Sequence, residues 1–131
     1  MHITLETDYA IRIARYLAIE NKVATAKAIA EATNITPGIT FKILRKLSTA
    51  GIVKSFKGAS GGYLMAGDSS KINLKELLET LEGPYYISRC LNSASECSFG
   101  LDCNCKAQNV FDTASQMVRD YFETVTLDNL I

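Results

Sequence analysis

Residues 36–66 read TPGITFKILRKLSTAGIVKSFKGASGGYLMA and carry the clearest signals of the fold class. Thr36 and Pro37 are a favourable cap and first residue for a helix, and Gly51 suits the left-handed conformation that ends one. Beyond Gly51, two short runs of β-forming residues flank a glycine-rich turn, which is the pattern of a hairpin. The stretch therefore predicts a helix to about Ala50, followed by a two-stranded wing.

Two further amphipathic segments come before that helix. Residues 7–20 carry apolar side chains four residues apart, which predicts a helix with one apolar stripe and with Thr7 as its cap. Residues 25–32 predict a second helix. The expected buried face of the third helix consists of Ile39, Ile43, Leu44 and Leu47. Three helices followed by a ribbon are the order of a winged helix-turn-helix, in which the second helix braces the third.

The second half of the chain predicts a short helix, a loop and a long helix. Asn73 opens the short helix and Gly83-Pro84 ends it, whereas residues 84–105 show no sustained period. From Lys106 to about Thr126, apolar residues recur every three or four positions: Ala107, Val110, Ala114, Met117, Tyr121 and Val125. This stripe is long for a small domain, so we expect a dimer interface. Packing against the helix's own domain is the alternative.

The predicted fold class is mainly α with a small β-hairpin: a winged helix-turn-helix domain plus a long C-terminal dimerisation helix. The 131 residues are enough for one domain with a core and an appendage. We expect a winged helix-turn-helix domain at residues 1–83, a cysteine-rich loop at 84–105 and the dimerisation helix at 106–131.

The net charge of zero hides a division between the two halves of the chain. Residues 1–66 contain nine Lys/Arg and four Asp/Glu, and residues 67–131 contain five and ten. A basic half that includes the third helix and the wing favours a polyanion such as double-stranded DNA. The expected contacts are Thr36, Pro37, Gly38, Thr40, Phe41, Lys42, Arg45 and Lys46 of the third helix, with Lys57 and Ser60 of the wing. A solvated basic face on a protein-binding winged helix is the alternative.

All four cysteines, Cys90, Cys97, Cys103 and Cys105, lie within sixteen positions of a polar stretch. Such clustering is typical of ligands or redox groups rather than of core residues. Thiolates select zinc, copper(I) and iron–sulfur clusters. The gaps of six, five and one residues do not match the close pairs of structural zinc sites. An iron–sulfur cluster is therefore favoured, with zinc and a metal-free thiol switch as alternatives.

Other classes of protein find little support in the sequence. No run of 18 apolar residues is present, and the N-terminus lacks the basic region of a signal peptide, so a cytoplasmic location without membrane contact is expected. The single histidine, His2, has no evident nucleophile partner, and the glycine-rich turn does not precede a helix as a phosphate loop does. We therefore expect no enzymatic activity.

Three segments resemble one family of bacterial winged-helix regulators, the iron–sulfur and redox regulators that include IscR, NsrR and CymR. They are TDYAIR (residues 7–12), ILRKLSTAGIV (43–53) and KGASGGY (57–63), and the likeness covers nearly the whole chain. The resemblance implies a homodimeric regulator that binds DNA, with the long C-terminal helix as its interface. Members that carry a cysteine triplet bind an iron–sulfur cluster and sense iron–sulfur status, nitric oxide or redox stress.

The resemblance implies Cys90, Cys97 and Cys103 as cluster ligands, but the pattern departs from the family at several points. The first gap is six residues instead of five, and Cys105 is an additional thiol. The histidine that the IscR branch carries three residues after the third cysteine is replaced by Lys106. An aspartate at the start of the first helix supplies the fourth ligand in an NsrR-like branch, and Asp8 matches it.

The fourth ligand therefore stays open between Cys105 and Asp8, with Glu6 and His2 as weaker candidates. The sequence does not distinguish a [4Fe-4S] from a [2Fe-2S] cluster. The leading hypothesis is a homodimeric transcriptional regulator that reads an inverted repeat under the control of the cluster. Two alternatives remain: a clusterless regulator that uses its thiols or a partner protein, and a small iron–sulfur electron-transfer or carrier protein.

Overall fold

The computed structural model describes residues 3–92, 97 and 105–131 and confirms the predicted fold class. Five α-helices and one hairpin form in this part of the chain: α1 (Leu5–Glu20), α2 (Ala26–Thr33), α3 (Pro37–Thr49), β1 (Val53–Phe56), β2 (Gly62–Met65), α4 (Leu74–Glu82) and α5 (Lys106–Thr124). Short 3-10 turns lie at residues 69–71, 89–91 and 127–130.

The core of the winged domain forms where the apolar stripe of α1 meets α3. Ile13 and Leu17 of α1 are fully buried, as are Ile43 and Leu47 of α3. Their recurrence every three or four residues places them on one face of each helix. Burial of each such side chain contributes about 1.5–3 kcal/mol, so this contact supplies much of the stability of the domain. Helix α2 packs on both and fixes their crossing.

Two details of the predicted helices were wrong. Thr7 is not the cap of α1: the helix begins earlier, Thr4 is its cap, and the Thr4 hydroxyl accepts a hydrogen bond from the Thr7 amide at 3.3 Å. Thr7 itself is fully buried. Ile39 does not belong to the buried face of α3, because 39% of its surface is exposed. It stands at the edge of that face, where neighbouring elements do not cover it.

The wing is attached to the loop between α1 and α2. β1 and β2 pair antiparallel, with Val53 opposite Met65 and Phe56 opposite Gly62. Tyr63 also pairs with Ala24: its amide donates to the Ala24 carbonyl at 2.8 Å, and its carbonyl accepts from the Ala24 amide at 2.9 Å. These two bonds fix the orientation of the wing relative to α3.

The last residues of the chain return to the core, which the sequence did not predict. Helix α5 ends at Thr124, and Leu127 lies buried in the core cluster. The Leu127 amide donates to the Ile72 carbonyl at 2.8 Å, and the Leu74 amide donates to the Val125 carbonyl at 2.8 Å. The carboxyl end of α5 is thereby bound to the start of α4. None of the helices described is both long and apolar enough to cross a membrane.

Gly62, like its neighbour Gly61, has no room for a side chain. Its φ of +152° is unfavourable for L residues, and a Cβ atom there would overlap the carbonyl group of Ala24. We expect Gly62→Ala to lower the free energy of unfolding by roughly 1–3 kcal/mol, the usual cost of overpacking. Gly67→Ala is the control, because a Cβ atom at Gly67 meets nothing within 4 Å. Urea unfolding measures both, and equal stability of the two variants would contradict this account.

Candidate nucleic-acid interface and cysteine site

One face of α3 is open to solvent. Gly38, Lys42, Arg45 and Thr49 follow one another at intervals of three or four residues, opposite the buried face of the helix. They form one wall of an open groove of about 650 Å³, whose other side includes Leu81 of α4. A helix with one face packed and the other bordered by positive charge is suited to a major groove.

The predicted contact residues fall mostly on exposed surface. Among those of α3, the exposed ones are Pro37, Gly38, Phe41, Lys42 and Arg45, with Thr36 exposed at its cap and Lys46 half-buried. Lys57 and Ser60 are exposed at the wing tip. Thr40 is fully buried, so its side chain does not reach the exposed face of α3. Helical geometry explains this, because Thr40 lies on the side of α3 that carries Ile43, Leu44 and Leu47.

Two lysines of this face are paired with an acid that does not belong to α3. The Glu6 carboxylate, in the first turn of α1, lies 2.7 Å from Lys46 Nζ and 3.4 Å from Lys42 Nζ. The hydrogen bond from Lys46, together with the charges of both lysines, lowers the pKa of Glu6 despite partial desolvation. The positive charge of the α3 face is therefore partly neutralised within the fold.

Glu82, the last residue of α4, connects α4 to the start of α1. One of its oxygens, Oε1, accepts from the Thr4 amide at 3.0 Å and the Thr4 hydroxyl at 2.8 Å, and also from the Thr7 hydroxyl. Burial opposes ionisation of this carboxylate, but the hydrogen bonds from Thr7 and Thr4 outweigh it and lower the pKa of Glu82. Glu82 thus fixes the amino end of α1 at the point where the chain enters the cysteine segment.

Cys90 lies in a short turn that is bound to α5. The Gln108 side chain donates to the Cys90 carbonyl at 3.0 Å, and the Cys90 sulfur lies 3.1 Å from the Ser88 hydroxyl. Just before this turn, the Ile87 amide donates to the Ser115 hydroxyl at 2.9 Å. Ser115 is the buried residue of α5, so the approach to the cysteine segment is anchored halfway along that helix.

The other predicted ligands are only partly described. Cys105 is half-buried at the start of α5 and Cys97 is exposed, and both, like Cys90, carry free thiols. Cys103 and His2 lie outside the described residues. Asp8 is paired with Arg12 at 2.6 Å on the surface of α1. In the part of the chain that the structure describes, no three potential ligands converge on one point.

Ile3, just before α1, and the Cys90 turn nevertheless border the same cavity. Ile3 lies on one side of a cavity of about 390 Å³, and Arg89 and Asn92 lie on another, with Tyr85 and Tyr86 between them. Burial, and then the nearby Glu82 charge, raise the pKa of Tyr85. Ile3 and the turn that contains Cys90 therefore border one cavity, although more than 80 positions separate them.

The described thiols suit an iron–sulfur cluster chemically. Thiolate sulfur is its usual ligand, and the Gln108 bond places the Cys90 turn beside the first turns of α5, which Cys105 begins. The partial positive charge at the start of a helix stabilises thiolates and anionic groups. No side-chain hydrogen bond caps the amino end of α5. The thiol chemistry of the described cysteines is therefore compatible with such a group, and Cys103 lies outside the described residues.

Sequence reasoning missed the residues that connect these parts. It considered Glu6 only as a weak metal ligand, and it did not single out Glu82, Gln108 or Ser115. Each of them acts across at least 18 sequence positions, and no local spacing or motif marks such a contact. Only the basic residues of α3 were marked by the sequence, because a cluster of basic residues without nearby acids predicts an anionic partner.

Comparison with known proteins identifies relatives over the whole chain. The model of the Rrf2 family, described as iron-dependent transcriptional regulators, matches residues 3–131. A helix-turn-helix transcriptional regulator of Neisseria meningitidis serogroup A is 27% identical over 100% of this chain and 88% of its own length. The regulator NsrR of Shouchella clausii is 26% identical over 100% and 89%. These names agree with the expectation of a protein without enzymatic activity.

A solved structure supports the fold. CymR of Bacillus subtilis, described as its global cysteine regulator, superposes with a TM-score of 0.79 over 99% of this chain and 95% of its own. The identity is 24%, so this likeness concerns the fold. It extends over both the winged domain and α5.

We expect the Glu82 anchor to make stability depend on pH at the acid side. Because the pKa of Glu82 is lowered on folding, its stabilising effect is present above the ordinary glutamate pKa of 4.5 and is lost as pH falls through the folded value. Below that pH, the free energy of unfolding of Glu82→Gln should therefore fall less than that of the wild type. The difference should be about 1 kcal/mol or less, since solvent screens this exposed group.

Urea unfolding at a series of pH values measures this effect. Glu31→Gln is the matched control, because Glu31 is an exposed acid for which no side-chain partner is found among the residues described. If the free energies of unfolding of wild type and Glu82→Gln fell equally with decreasing pH, the role given to Glu82 would be refuted.

Proposed function

Since the chain belongs to the Rrf2 family of DNA-binding transcriptional regulators, we propose that it acts in the cytoplasm as a homodimer whose DNA affinity is controlled by an iron–sulfur cluster. The observation that carries this proposal is the Cys90 turn, which is bound to α5 and borders a cavity that it shares with Ile3, just before α1. A group held there would influence both the dimer helix and the winged domain.

Cys90, Cys97 and Cys103 are the proposed cluster ligands, with Cys105 or Asp8 as the fourth. When bound, the cluster supplies a group that responds to redox conditions and nitric oxide. Cys105 is favoured by its place at the amino end of α5, where the helix dipole stabilises a thiolate. Asp8 is favoured by its exposed position in the first turns of α1. Either choice links the cysteine segment to an element that orients the dimer.

The protein's own contacts provide a route by which ligand binding changes DNA affinity. Ligation of Cys90 would hold the turn that Gln108 and Ser115 attach to α5. It would also hold the end of α4, where Glu82 fixes the start of α1. Release of the ligands would loosen both attachments and change the spacing of the two α3 helices, on which binding to an inverted repeat depends.

The homodimer is proposed from the exposed face of α5. Met117 and Tyr121 are 67% and 66% exposed, and Val110 lies on the same side. Val110 and Met117, together with Thr113 and Ala114, line a shallow apolar hollow. A contiguous apolar stripe on a long helix is typical of a protein–protein interface, and a second copy of α5 would cover it symmetrically.

DNA contact is proposed for the exposed surface of α3 and the wing. Gly38 permits close approach to bases, Lys42 and Arg45 are placed for phosphates, and Lys57 with Ser60 would meet the adjacent backbone or minor groove. Phe41 is exposed near the amino end of α3, where apolar contact with a base is feasible. Both copies of this surface are needed to read an inverted repeat.

One alternative has an observation of its own. Cys97 is an exposed free thiol, which an oxidant or a partner protein can reach directly. A regulator of the same fold that senses through thiols alone would use this residue without metal. An electron-transfer or carrier protein is less well supported, because such a function does not require the basic exposed face of α3.

We expect protein purified without oxygen to absorb visible light and to contain iron and sulfide. The ratio of iron to protein and the shape of the spectrum distinguish [2Fe-2S] from [4Fe-4S]. Cys97→Ala should abolish the absorbance and change the affinity for operator DNA at least several-fold. Comparing Cys105→Ser with Asp8→Asn identifies the fourth ligand, because only the variant that lacks it should lose or shift the spectrum.

The alternatives make different predictions in the same experiment. Colourless protein without iron or sulfide, whose DNA affinity still responds to oxidation of Cys97, would support the thiol regulator. A cluster without salt-sensitive DNA binding would support the carrier protein. An unchanged spectrum and an unchanged DNA affinity in Cys97→Ala would rule out the proposed cluster mechanism.

The dimer interface is tested by placing a charge on the exposed stripe of α5. Met117→Lys should shift the protein from dimer to monomer at micromolar concentration, because a buried unpaired ammonium is strongly unfavourable. Gln116→Lys is the matched control: it adds the same side chain one position away, on the polar flank of α5. Sedimentation equilibrium measures the mass of each, and a Met117→Lys variant that remains dimeric would exclude this interface.

A further inference from the structure

We propose that Glu6 is an intramolecular competitor for the DNA phosphates at Lys42 and Lys46, and that it tunes the DNA affinity of the protein. This inference rests on the proposed DNA-binding role of α3. It adds a residue that lies on a different helix and that makes no proposed contact with DNA. The contact is autoinhibitory, since the same two ammonium groups serve either the carboxylate or the phosphates.

The geometry places the carboxylate between both lysines. Glu6 Oε1 lies 2.7 Å from Lys46 Nζ, and Oε2 lies 3.4 Å from Lys42 Nζ. The Glu6 and Lys46 side chains are 29% and 36% exposed, whereas Lys42 is 64% exposed. Lys46 is therefore held more closely than Lys42. Both belong to the wall of the groove along the exposed side of α3.

Glu6 occupies this position because the start of α1 is fixed. Thr4 and Thr7, on either side of it, both donate hydrogen bonds to Glu82 at the end of α4. Thr7 is fully buried, so the backbone at Glu6 has little freedom to move away from α3. A carboxylate on a fixed helix end is a preorganised partner for the two lysines, unlike a carboxylate on a flexible surface loop.

The strength of these ion pairs decides whether Glu6 weakens DNA binding or prevents it. Ion pairs that water can reach contribute about 0.2–1 kcal/mol each, so Glu6 cannot prevent binding to a polyanion. It can lower the affinity, because lysines that are neutralised by Glu6 release fewer counterions when they meet phosphate. The expected effect is a moderate weakening of DNA binding together with a shallower dependence on salt.

The test compares Glu6→Gln with wild type in binding to duplex operator DNA over a range of salt concentrations. We expect Glu6→Gln to bind about two- to fivefold more tightly at low salt. Its plot of log affinity against log salt should be steeper by up to about 0.9, the change for one more neutralised phosphate. Glu6→Asp, which keeps the charge but shortens the reach by one methylene, should fall between the two.

Two controls separate competition from a general effect of charge. Glu31→Gln removes one exposed negative charge from α2, away from Lys42 and Lys46, and should give a smaller gain than Glu6→Gln. In the Lys42→Gln/Lys46→Gln background, Glu6→Gln should raise the affinity no more than Glu31→Gln does in the wild-type background, because the groups for which Glu6 competes are absent. Circular dichroism of each variant verifies that the fold is retained.

Each outcome is decisive for one of the two proposals. Weaker or unchanged DNA binding by Glu6→Gln would overturn the competitor role. So would a gain in affinity that is equally large without the two lysines, or one that only equals the gain of Glu31→Gln. Those results would leave DNA binding by α3 intact. Absence of any salt-dependent binding by the wild-type protein would instead remove the proposed function, and the inference with it.

Discussion

Helix α1 is the central packing element of the winged domain. Its apolar stripe, with Ile13 and Leu17 fully buried, contacts α2, α3, α4 and β2. The recognition surface and the wing are therefore positioned by one helix, and the final turn of the chain packs against it as well. A change in the position of α1 would be felt at each of these elements, because packed helices shift as rigid units.

At the amino end of α1, hydrogen bonds and ion pairs add to this apolar packing. Within five residues it carries Thr4, Glu6, Thr7 and Asp8, which face α4, α3 or solvent. Glu82 holds the threonines, and Glu6 meets the lysines of α3. The cysteine segment begins immediately after Glu82 and its first turn borders the same cavity as Ile3. The proposed cysteine site and the proposed DNA-binding face are thus adjacent at one helix end, so coupling between them would act over a short range.

Helix α5 has an inner side that contacts the rest of the chain and an outer side that is exposed to solvent. Its inner side is attached at Ser115 to the chain before Cys90 and at Arg119 to Glu79 of α4, at 2.8 Å. Its outer side presents Met117 and Tyr121 to solvent. A helix of 19 residues has more apolar surface than a domain of this size can cover, so the surplus is available to a second copy.

The resemblance to the family and the order of elements could be predicted from local signals. Periodic apolar residues, the Thr36-Pro37 start of α3 and the glycine-rich wing are such signals, and they can be recognised along one chain. The four cysteines also stood out in the sequence, because clustered thiols are rare. Four features became visible only in the folded chain: Thr40 faces the core, Leu127 returns to it, Tyr63 pairs with Ala24, and Glu6 meets Lys42 and Lys46. These contacts join residues distant in sequence, or depend on which side of a helix its neighbours cover, and the packing of the whole domain sets both.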